Sequence, residues 1–233
     1  MNIGLFGYGK MGRMIEQVAG QRGHRIAARI DRAEDPAPFE SMQVAIDFSS
    51  PDAAFDNIAR CLEAGVPVVS GTTGWLDRYG EASALCERKG GGFLYASNFS
   101  LGVNLFFEVN ACLARLMEKA PGYSVGIEEI HHTQKLDAPS GTAISLAEGI
   151  IANSSYTAWK PESAGKGEIP VHSKRLGDTP GTHRVCYQSE ADRIELVHTA
   201  HSREGFAVGA LVAAEWLVGK KGVFSMRDVL NLR

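Results

Sequence analysis

The chain has 233 residues, of which 44% are hydrophobic and 22% charged, and its 24 basic and 27 acidic residues give a formal net charge of −3. These proportions are typical of a globular protein with one large or two small domains, and they exclude a disordered chain, a collagen and a coiled coil. A charge this close to zero indicates no nucleic-acid surface, and no apolar run is long enough to cross a bilayer. Because the sequence opens without a signal peptide, we expect a cytoplasmic protein with four reduced thiols, at Cys61, Cys86, Cys112 and Cys186.

Short apolar runs alternate with helix-length segments in the first half of the chain. The pattern predicts strands at residues 3–6, 25–30, 44–48, 66–70 and 92–96, and helices at residues 11–21, 52–64 and 76–88. Strands joined by helical crossovers form a parallel sheet, and nearly continuous apolar strands are typical of a sheet covered on both faces. We therefore predict a Rossmann-type, doubly wound parallel sheet.

The pattern changes after Asn98. We predict helices at residues 103–119, 141–152 and 206–219 and a strand at residues 124–130. Three further strands, at residues 169–176, 183–189 and 194–200, are separated by turn residues, and this spacing predicts an antiparallel meander. Because such a sheet rarely stands alone, we expect the preceding helices or another subunit to cover it.

A glycine-rich motif lies between the first predicted strand and the first predicted helix. It has the form G-x-G-x-x-G and runs Gly7-Tyr8-Gly9-Lys10-Met11-Gly12. In this context the first glycine allows a tight turn, the second lets the backbone approach a pyrophosphate, and the third lets the helix pack on the strand. The free N–H groups of the helix then favour phosphate binding, so we predict a dinucleotide site.

Asp31 follows the second strand, where this motif predicts an acidic residue for the ribose hydroxyls of NAD. The neighbouring Arg32 suits a 2′-phosphate or the adenine ring, so the pair favours use of both NADH and NADPH. A solvated loop that continues through Glu34 is the alternative. Loops after the fourth and fifth strands belong to the same crevice, and their candidate residues are Gly71, Thr72, Thr73, Ala96, Ser97, Asn98 and Phe99.

Residues 128–143 hold the densest set of chemically capable side chains. His131 and His132 end a strand, and Lys135 follows them. Adjacent histidines on a strand point to opposite faces, and no cysteine or third histidine has matching local spacing, so we predict no metal site. A histidine that can donate a proton, a cationic lysine and the N-terminus of a helix that Ser140 caps describe a pocket for a small anion that receives a hydride and a proton.

These motifs together resemble the dihydrodipicolinate reductase (4-hydroxy-tetrahydrodipicolinate reductase) family of the bacterial lysine and diaminopimelate pathway. The resemblance covers essentially the whole chain. It rests on residues 7–12, Ile46-Asp47-Phe48-Ser49, residues 71–74 and 97–100, the run from His131-His132 through Thr142, Ser202-Arg203, and residues 224–230.

The resemblance implies an NADH- or NADPH-dependent reductase of a small cyclic dicarboxylate. His131 is implied as the general acid, Lys135 as its assistant and as a partner of the substrate's charge, and Arg203 as a support of the closed site. Carboxylate contacts are implied for His132, Ser140, Gly141 and Thr142. The cofactor is implied to contact residues 7–12, Asp31, Arg32, residues 71–73 and residues 96–99.

The resemblance also implies two domains and a homotetramer. We expect a dinucleotide-binding domain at residues 1–101 and 206–233, and a substrate-binding α+β domain at residues 102–205 whose open, mixed or antiparallel sheet serves oligomerisation. Hinges near residues 100–102 and 203–205 are expected to let the domains close on the ligands.

Two departures from the family pattern are a short connection over residues 31–44 and Thr182, which stands where the family often has Glu. The first lessens adenine contacts, and the second affects subunit contacts.

Two other functions fit parts of the sequence. An aldehyde-oxidising dehydrogenase needs an activated thiol at a loop or helix N-terminus, whereas the four cysteines lie within predicted helices or a strand. A dinucleotide-sensing module without turnover needs the glycine-rich motif but neither His131 nor Lys135.

Overall fold

The computed structural model describes residues 1–32 and 35–232. The predicted solvated loop is therefore described only in part, since Glu34 lies outside these residues. The chain forms two compact units. The first comprises Met1–Leu101 and Glu204–Arg233, and the second Gly102–Arg203. No helix in the described part of the chain is long and apolar enough to cross a membrane.

The first unit alternates strands and helices. Its first segment contains β1 (Asn2–Phe6), α1 (Lys10–Gln21), β2 (Arg25–Ile30), β3 (Val44–Asp47), α2 (Pro51–Glu63), β4 (Val68–Ser70), α3 (Tyr79–Lys89) and β5 (Gly92–Tyr95). The second unit contains α4 (Leu101–Met117), β6 (Ser124–His131), α5 (Gly141–Ile151), β7 (Ala158–Pro161), β8 (Glu168–Arg175), β9 (Gly181–Gln188) and β10 (Arg193–Ala200). The chain then returns to the first unit with α6 (Glu204–Leu217), β11 (Gly222–Phe224) and α7 (Met226–Val229).

The sheet of the first unit is entirely parallel, with strand order β11-β5-β4-β3-β1-β2. The strand order reverses between β1 and β3, and ligands of open α/β sheets bind at such a switch point. The prediction of a doubly wound sheet is confirmed, although β11 was not anticipated. Its edge position and length of three residues leave little apolar signal.

Two cores cover the two faces of this sheet. Ile15 of α1 and Leu211 of α6 pack on one face, while Ile58 of α2 and Leu85 of α3 pack on the other. The apolar strands are buried on both sides, as in β3, all four residues of which are buried. Helices on both faces thus fix the carboxyl ends of β1 to β5, from which the loops of the cleft described below extend.

The second unit has a mixed sheet with strand order β10-β9-β6-β8-β7. Its core lies between one sheet face and helices α4 and α5, with Phe106 and Leu146 packed against Ile127 and Val185. The mixed sheet confirms the predicted fold class of this part, and helices do cover one face as anticipated.

The prediction of a three-stranded antiparallel meander is wrong. Only β9 and β10 form an antiparallel hairpin, whereas β8 runs parallel to both β6 and β7, and β6 lies between β8 and β9. The turn residues after β8 therefore do not close a hairpin. They cross the end of β6, where Leu176 donates its N–H to the carbonyl of His131 at 2.7 Å and Thr133 donates to Gly177 at 3.1 Å. β7, which contains Pro161, was also not predicted.

At Gly209, helix α6 approaches the backbone of the segment after β5 closely. A Cβ built on Gly209 lies 1.7 Å from the carbonyl oxygen of Phe99. We expect Gly209→Ala to lower the free energy of unfolding by about 3 kcal/mol, because the backbone must shift to relieve this overlap. Denaturant unfolding of the full chain measures it.

The matched control is Gly20→Ala on α1, where a built Cβ meets no atom of the described residues within 4 Å. We expect it to raise the free energy of unfolding by up to about 1 kcal/mol through helix propensity. Equal effects of the two substitutions would contradict the close approach of α6.

Candidate functional site

The glycine-rich turn of the first unit leaves no room for side chains at two of its glycines. Gly7 has a φ of +86°, and a Cβ there lies 2.2 Å from the carbonyl oxygen of Phe48. A Cβ on Gly12 lies 2.3 Å from the carbonyl oxygen of Gly7. The N–H of Gly7 donates to the carbonyl of Ile30 at 2.8 Å, which ties the turn to the end of β2.

Gly9 differs, because a Cβ built on it meets no atom of the described chain within 4 Å. It lines a cleft of about 750 Å³ together with Gly7, Ile30, Asp31, Arg32, residues 48–50, Asp52, Ala53, Asp56, Asn57 and Arg60. We call this the glycine-loop cleft. Gly9 also precedes α1, whose first turn has no side-chain cap and no acidic residue. Space beside Gly9 and uncapped N–H groups fit a phosphate-bearing dinucleotide, since the N-terminus of a helix favours anions.

Asp31 and Arg32 lie exposed at the rim of the cleft. One carboxylate oxygen of Asp31 accepts the N–H of Tyr8 at 2.8 Å. The N–H groups of Asp31 and Arg32 donate to one oxygen of Asp35 at 2.8 and 2.9 Å, and these bonds hold the pKa of Asp35 below its usual value. The predicted ribose-binding acid therefore also fixes the glycine turn.

Arg60 was not anticipated in this cleft. It comes from α2, and its guanidinium lies 5.8 Å from the ring centre of Phe39 and 6.0 Å from that of Phe6. The cleft thus has two guanidinium groups, from Arg32 and Arg60, beside the carboxylate of Asp31.

A buried carboxylate organises the next two loops. Asp47, at the end of β3, is fully buried and accepts hydrogen bonds from Ser49 at 2.6 Å, Thr72 at 2.7 Å, Ser70 at 2.9 Å and Asn57 at 3.2 Å. Burial raises the pKa of Asp47 despite these bonds. Asp47 lies within the Ile46-Asp47-Phe48-Ser49 motif but was not predicted as a site residue.

The candidate residues after β4 and β5 occupy different environments. Gly71, Thr72 and Thr73 line a second cleft of about 430 Å³ with residues 9–11, although the hydroxyl of Thr72 itself points to Asp47. Ala96 donates its N–H to Ser70 at 3.2 Å, Asn98 accepts the N–H of Ser100 at 2.8 Å, and Ser97 is exposed. Phe99 is only 1% exposed and packs in the core, so its side chain is not at the cleft surface.

The second unit holds its own cluster at the end of β6. Residues along this strand alternate, so that Val125, Ile127, Glu129 and His131 are all buried. Glu129 pairs in register with Ser173 of β8 on one side and with His183 of β9 on the other. Strand pairing thus brings a carboxylate and an imidazole together across 54 residues of chain (183 − 129).

Three buried side chains, Glu129, His131 and His183, form what we call the imidazole cluster. The two Nε2 atoms lie 3.3 Å apart. Oε2 of Glu129 lies 3.4 Å from Nε2 of His131 and 3.6 Å from that of His183. Burial opposes ionisation of Glu129, but hydrogen bonds from His131, His183, Ser140 and Ser173 outweigh it and hold the pKa of this carboxyl below its usual range. Burial lowers the pKa of His183.

The cluster has three donor atoms close enough to hold a metal ion, which local spacing did not reveal because His183 comes from another strand. A metal-bound imidazole normally donates its second N–H to a partner. Within the described chain, Nδ1 of His183 is buried without a hydrogen-bond partner. The environment of His183 therefore favours a hydrogen-bonded cluster.

Lys135 forms an ion pair with Asp137, an acidic neighbour that was not predicted as a site residue. Its ammonium lies 2.7 Å from both carboxylate oxygens of Asp137, and this contact lowers the pKa of Asp137. Arg175 of β8 donates to the carbonyls of Lys135 at 3.2 Å and Asp137 at 2.5 Å, and reaches Glu129 at 3.4 Å. Arg175 therefore anchors the loop between His132 and α5 to the strand beside β6.

Ser140 caps α5 as predicted, accepting the N–H of Ala143 at 3.2 Å. The hydroxyl also lies 3.2 Å from Nε2 of His183, and Ser140 is only 3% exposed. Gly141 and Thr142 are more accessible, and N–H groups in a first helical turn have no intrahelical acceptor. The backbone N–H groups of these two residues are therefore better placed to bind a carboxylate than the hydroxyl of Ser140 is.

The two remaining predicted site residues differ in exposure. His132 is half-buried, and Arg203 is an exposed residue at the end of the second unit.

Comparison with known proteins gives consistent results for both units. Residues 1–99 match the family model described as dihydrodipicolinate reductase, N-terminus, and residues 102–230 match that described as dihydrodipicolinate reductase, C-terminus. The 4-hydroxy-tetrahydrodipicolinate reductase of Christiangramia forsetii is 54% identical and covers 99% of this chain and 98% of its own. That of Chromobacterium violaceum is 36% identical, with 97% and 96% covered.

A solved structure is similar in fold. The dipicolinate-bound dihydrodipicolinate reductase from Paenisporosarcina sp. TG-14 superposes with a TM-score of 0.82 at 23% identity and covers 98% of each chain. Membership of a reductase family together with a Rossmann-type unit implies a nicotinamide dinucleotide as cofactor. The chain is an oxidoreductase that belongs to the dihydrodipicolinate reductase family.

Proposed function

We propose that the chain reduces 4-hydroxy-tetrahydrodipicolinate, by way of dihydrodipicolinate, to tetrahydrodipicolinate in lysine and diaminopimelate biosynthesis. The observation that carries the proposal is the 54% identity to a reductase of that name over 99% of the chain. The imidazole cluster supports it, because His131 lies at the end of β6 in the unit that also holds Lys135 and the N-terminus of α5.

The first unit holds the cofactor, which supplies a hydride when bound. Gly7, Tyr8, Gly9, Lys10, Met11 and Gly12 form the phosphate-binding turn, and residues 71–73 and 96–99 belong to the neighbouring loops. Asp31 binds a ribose hydroxyl, while the guanidinium groups of Arg32 and Arg60 suit a 2′-phosphate. This mixed charge favours the use of both NADH and NADPH.

The second unit binds and protonates the dicarboxylate. His131 donates the proton, and Lys135 assists it and balances the substrate's negative charge. The N–H groups of Gly141 and Thr142 hold one carboxylate with the help of His132, and Ser140 keeps the first turn of α5 in place. Arg203 supports the closed form of the site when substrate is bound.

The two other functions are less well supported. A thiol nucleophile needs a low pKa, whereas burial raises the pKa values of Cys61 and Cys86. A dinucleotide sensor needs neither Lys135 nor the buried imidazole cluster, both of which the second unit contains.

We further propose a cytoplasmic homotetramer that assembles through the sheet of the second unit. Its edge strand β10 exposes Ile194 at 39% and Val197 at 50%. Thr182 on the neighbouring β9 contacts Thr199 at 3.4 Å, where a longer Glu would reach further. Light scattering of the purified chain measures the assembly.

The reaction itself is tested with substrate made freshly by the preceding synthase. Reduced nicotinamide absorbance should fall only when enzyme, cofactor and substrate are all present. Persistent absorbance with a folded, cofactor-bound chain would overturn the proposed function.

His131→Gln tests the proton donor. We expect kcat to fall by roughly 10²- to 10⁴-fold, the usual contribution of a general acid, while the Kd for the nucleotide is unchanged. Steady-state rates and nucleotide fluorescence titration measure the two quantities. Turnover near the normal rate would remove His131 from this assignment.

Gly9→Val tests the glycine-loop cleft. Because no atom in the described part of the chain lies within 4 Å of a Cβ at Gly9, the thermal midpoint should stay unchanged. We expect the Kd for NADH to rise by at least about 10-fold, since the side chain occupies the space for the pyrophosphate. Gly20→Ala serves as the control that leaves binding unaffected, and unaltered NADH binding by Gly9→Val would mean that the dinucleotide lies elsewhere.

Asp31→Asn and Arg32→Ala test cofactor selection. Asn keeps an acceptor for the N–H of Tyr8 but loses the charge, so NADH binding should weaken roughly 10-fold and NADPH binding less. Arg32→Ala should have the reverse preference. Parallel losses for both nucleotides in both variants would show that ribose recognition depends on other groups.

A further inference from the structure

We propose that Glu129 and His183 are positioning residues that fix the ring of His131 through its Nε2 atom, so that Nδ1 is the atom that gives the proton to the substrate. The inference rests on the proposed function of His131, and it adds which ring nitrogen acts and which groups decide it.

Glu129 has separate partners for its two oxygens. Oε1 accepts the hydroxyl of Ser173 at 2.8 Å and faces Arg175 at 3.4 Å, while Oε2 faces the two imidazoles. The N–H of Ser140 lies 3.1 Å from both oxygens. The carboxylate is thus fixed by β6, β8 and the first turn of α5, and it cannot turn away from the histidines without losing these bonds.

Glu129 determines which nitrogen of His131 carries a hydrogen. An ionised carboxylate can only accept hydrogen bonds, so a ring nitrogen that faces it has to be the donor. Oε2 of Glu129 lies 3.4 Å from Nε2 of His131, and this nitrogen therefore carries a hydrogen. Nε2 of His183 lies 3.3 Å from the same nitrogen, so the second ring limits rotation of the first.

With Nε2–H so engaged, the imidazolium of His131 has its transferable proton on Nδ1. Gly181 of β9 borders this edge of the ring, and a Cβ there would lie 2.9 Å from Cε1 and 3.3 Å from Nδ1. The glycine therefore leaves a space at the Nδ1 edge that the Cβ of any other residue would fill. In the transfer, the N–H bond at Nδ1 breaks as the substrate gains the proton, and the neutral ring left behind keeps its hydrogen on Nε2.

The charged groups around His131 come from several elements. Glu129 lies on the same strand and His183 on β9, and Arg175 of β8 faces Glu129. Lys135 and Asp137 form an ion pair in the loop after β6. Burial and, less strongly, the nearby His183 lower the pKa of His198 on β10. Glu129 is the anion that faces the ring of His131, so its removal should release the ring from this orientation.

The test compares Glu129→Gln with Glu128→Gln, a matched control on the same strand. Glu128 is half-buried on the opposite face and pairs with Lys174 and Arg184. In Glu129→Gln we expect kcat to fall roughly 10- to 100-fold, because the ring of His131 is less often in the orientation that presents Nδ1. The nucleotide Kd should not change, Glu129→Asp should restore part of kcat, and Glu128→Gln should behave as wild type.

A second measurement needs neither turnover nor a stable variant. Two-bond ¹H–¹⁵N spectra of the ligand-free wild-type chain report the tautomer of each histidine. We expect neutral His131 to carry its hydrogen on Nε2, and Glu129→Gln, whose amide can both donate and accept, to mix the two tautomers of His131. A hydrogen on Nδ1 of wild-type His131, or an unchanged kcat in folded Glu129→Gln, would overturn the inference. Failure of the wild type to reduce the substrate would instead count against the proposed function, and the spectra would still decide the tautomer.

Discussion

The arrangement of the second unit depends on one carboxylate buried in its sheet, that of Glu129. Glu129 has no exposed surface, and a charge in such a place is costly unless it is paired and hydrogen-bonded. Its partners come from β8, β9 and the start of α5, so compensation requires these elements to meet at the end of β6. The same contacts place His131 beside the capped helix. Stability and proposed chemistry therefore depend on one set of bonds.

The first unit also contains a buried carboxylate, but the groups that surround it are different. Asp47 is also fully buried, but neutral hydroxyl and amide groups surround it, and burial raises its pKa. Around Glu129, imidazoles accompany the neutral donors, and its pKa is lowered. The contrast suits two tasks. Asp47 organises loops beside a cofactor cleft, whereas Glu129 remains an anion next to a proton donor.

Much of the first unit could be predicted because its signals are local. The glycine motif, the apolar strands and the crossover helices each lie within a short segment, and the structure confirms the parallel sheet. The second unit was less predictable because strand partners are non-local. The turn residues after β8 are typical of a hairpin, yet β6 occupies the position beside β8 that a meander gives to β9. That strand order depends on pairing between segments that are far apart in the sequence.

The residues of the candidate site also differ in whether a local sequence signal predicts them. Ser140 as a helix cap could be read from sequence, because capping depends on residues within one turn. Glu129 carried a usable signal, since it alternates with Val125 and Ile127 on a buried face, but its partner His183 lies on another strand. Arg60 lay within an ordinary amphipathic helix and had no local signal at all.

A crystal structure of the chain soaked with dipicolinate tests the central claim most directly, since this planar dicarboxylate matches the proposed substrate in charge and shape. The account predicts one carboxylate at the N–H groups of Gly141 and Thr142 and the ring beside His131 on its Nδ1 edge. Dipicolinate bound away from α5, or bound there with Nε2 of His131 turned toward it and away from Glu129, would contradict the account.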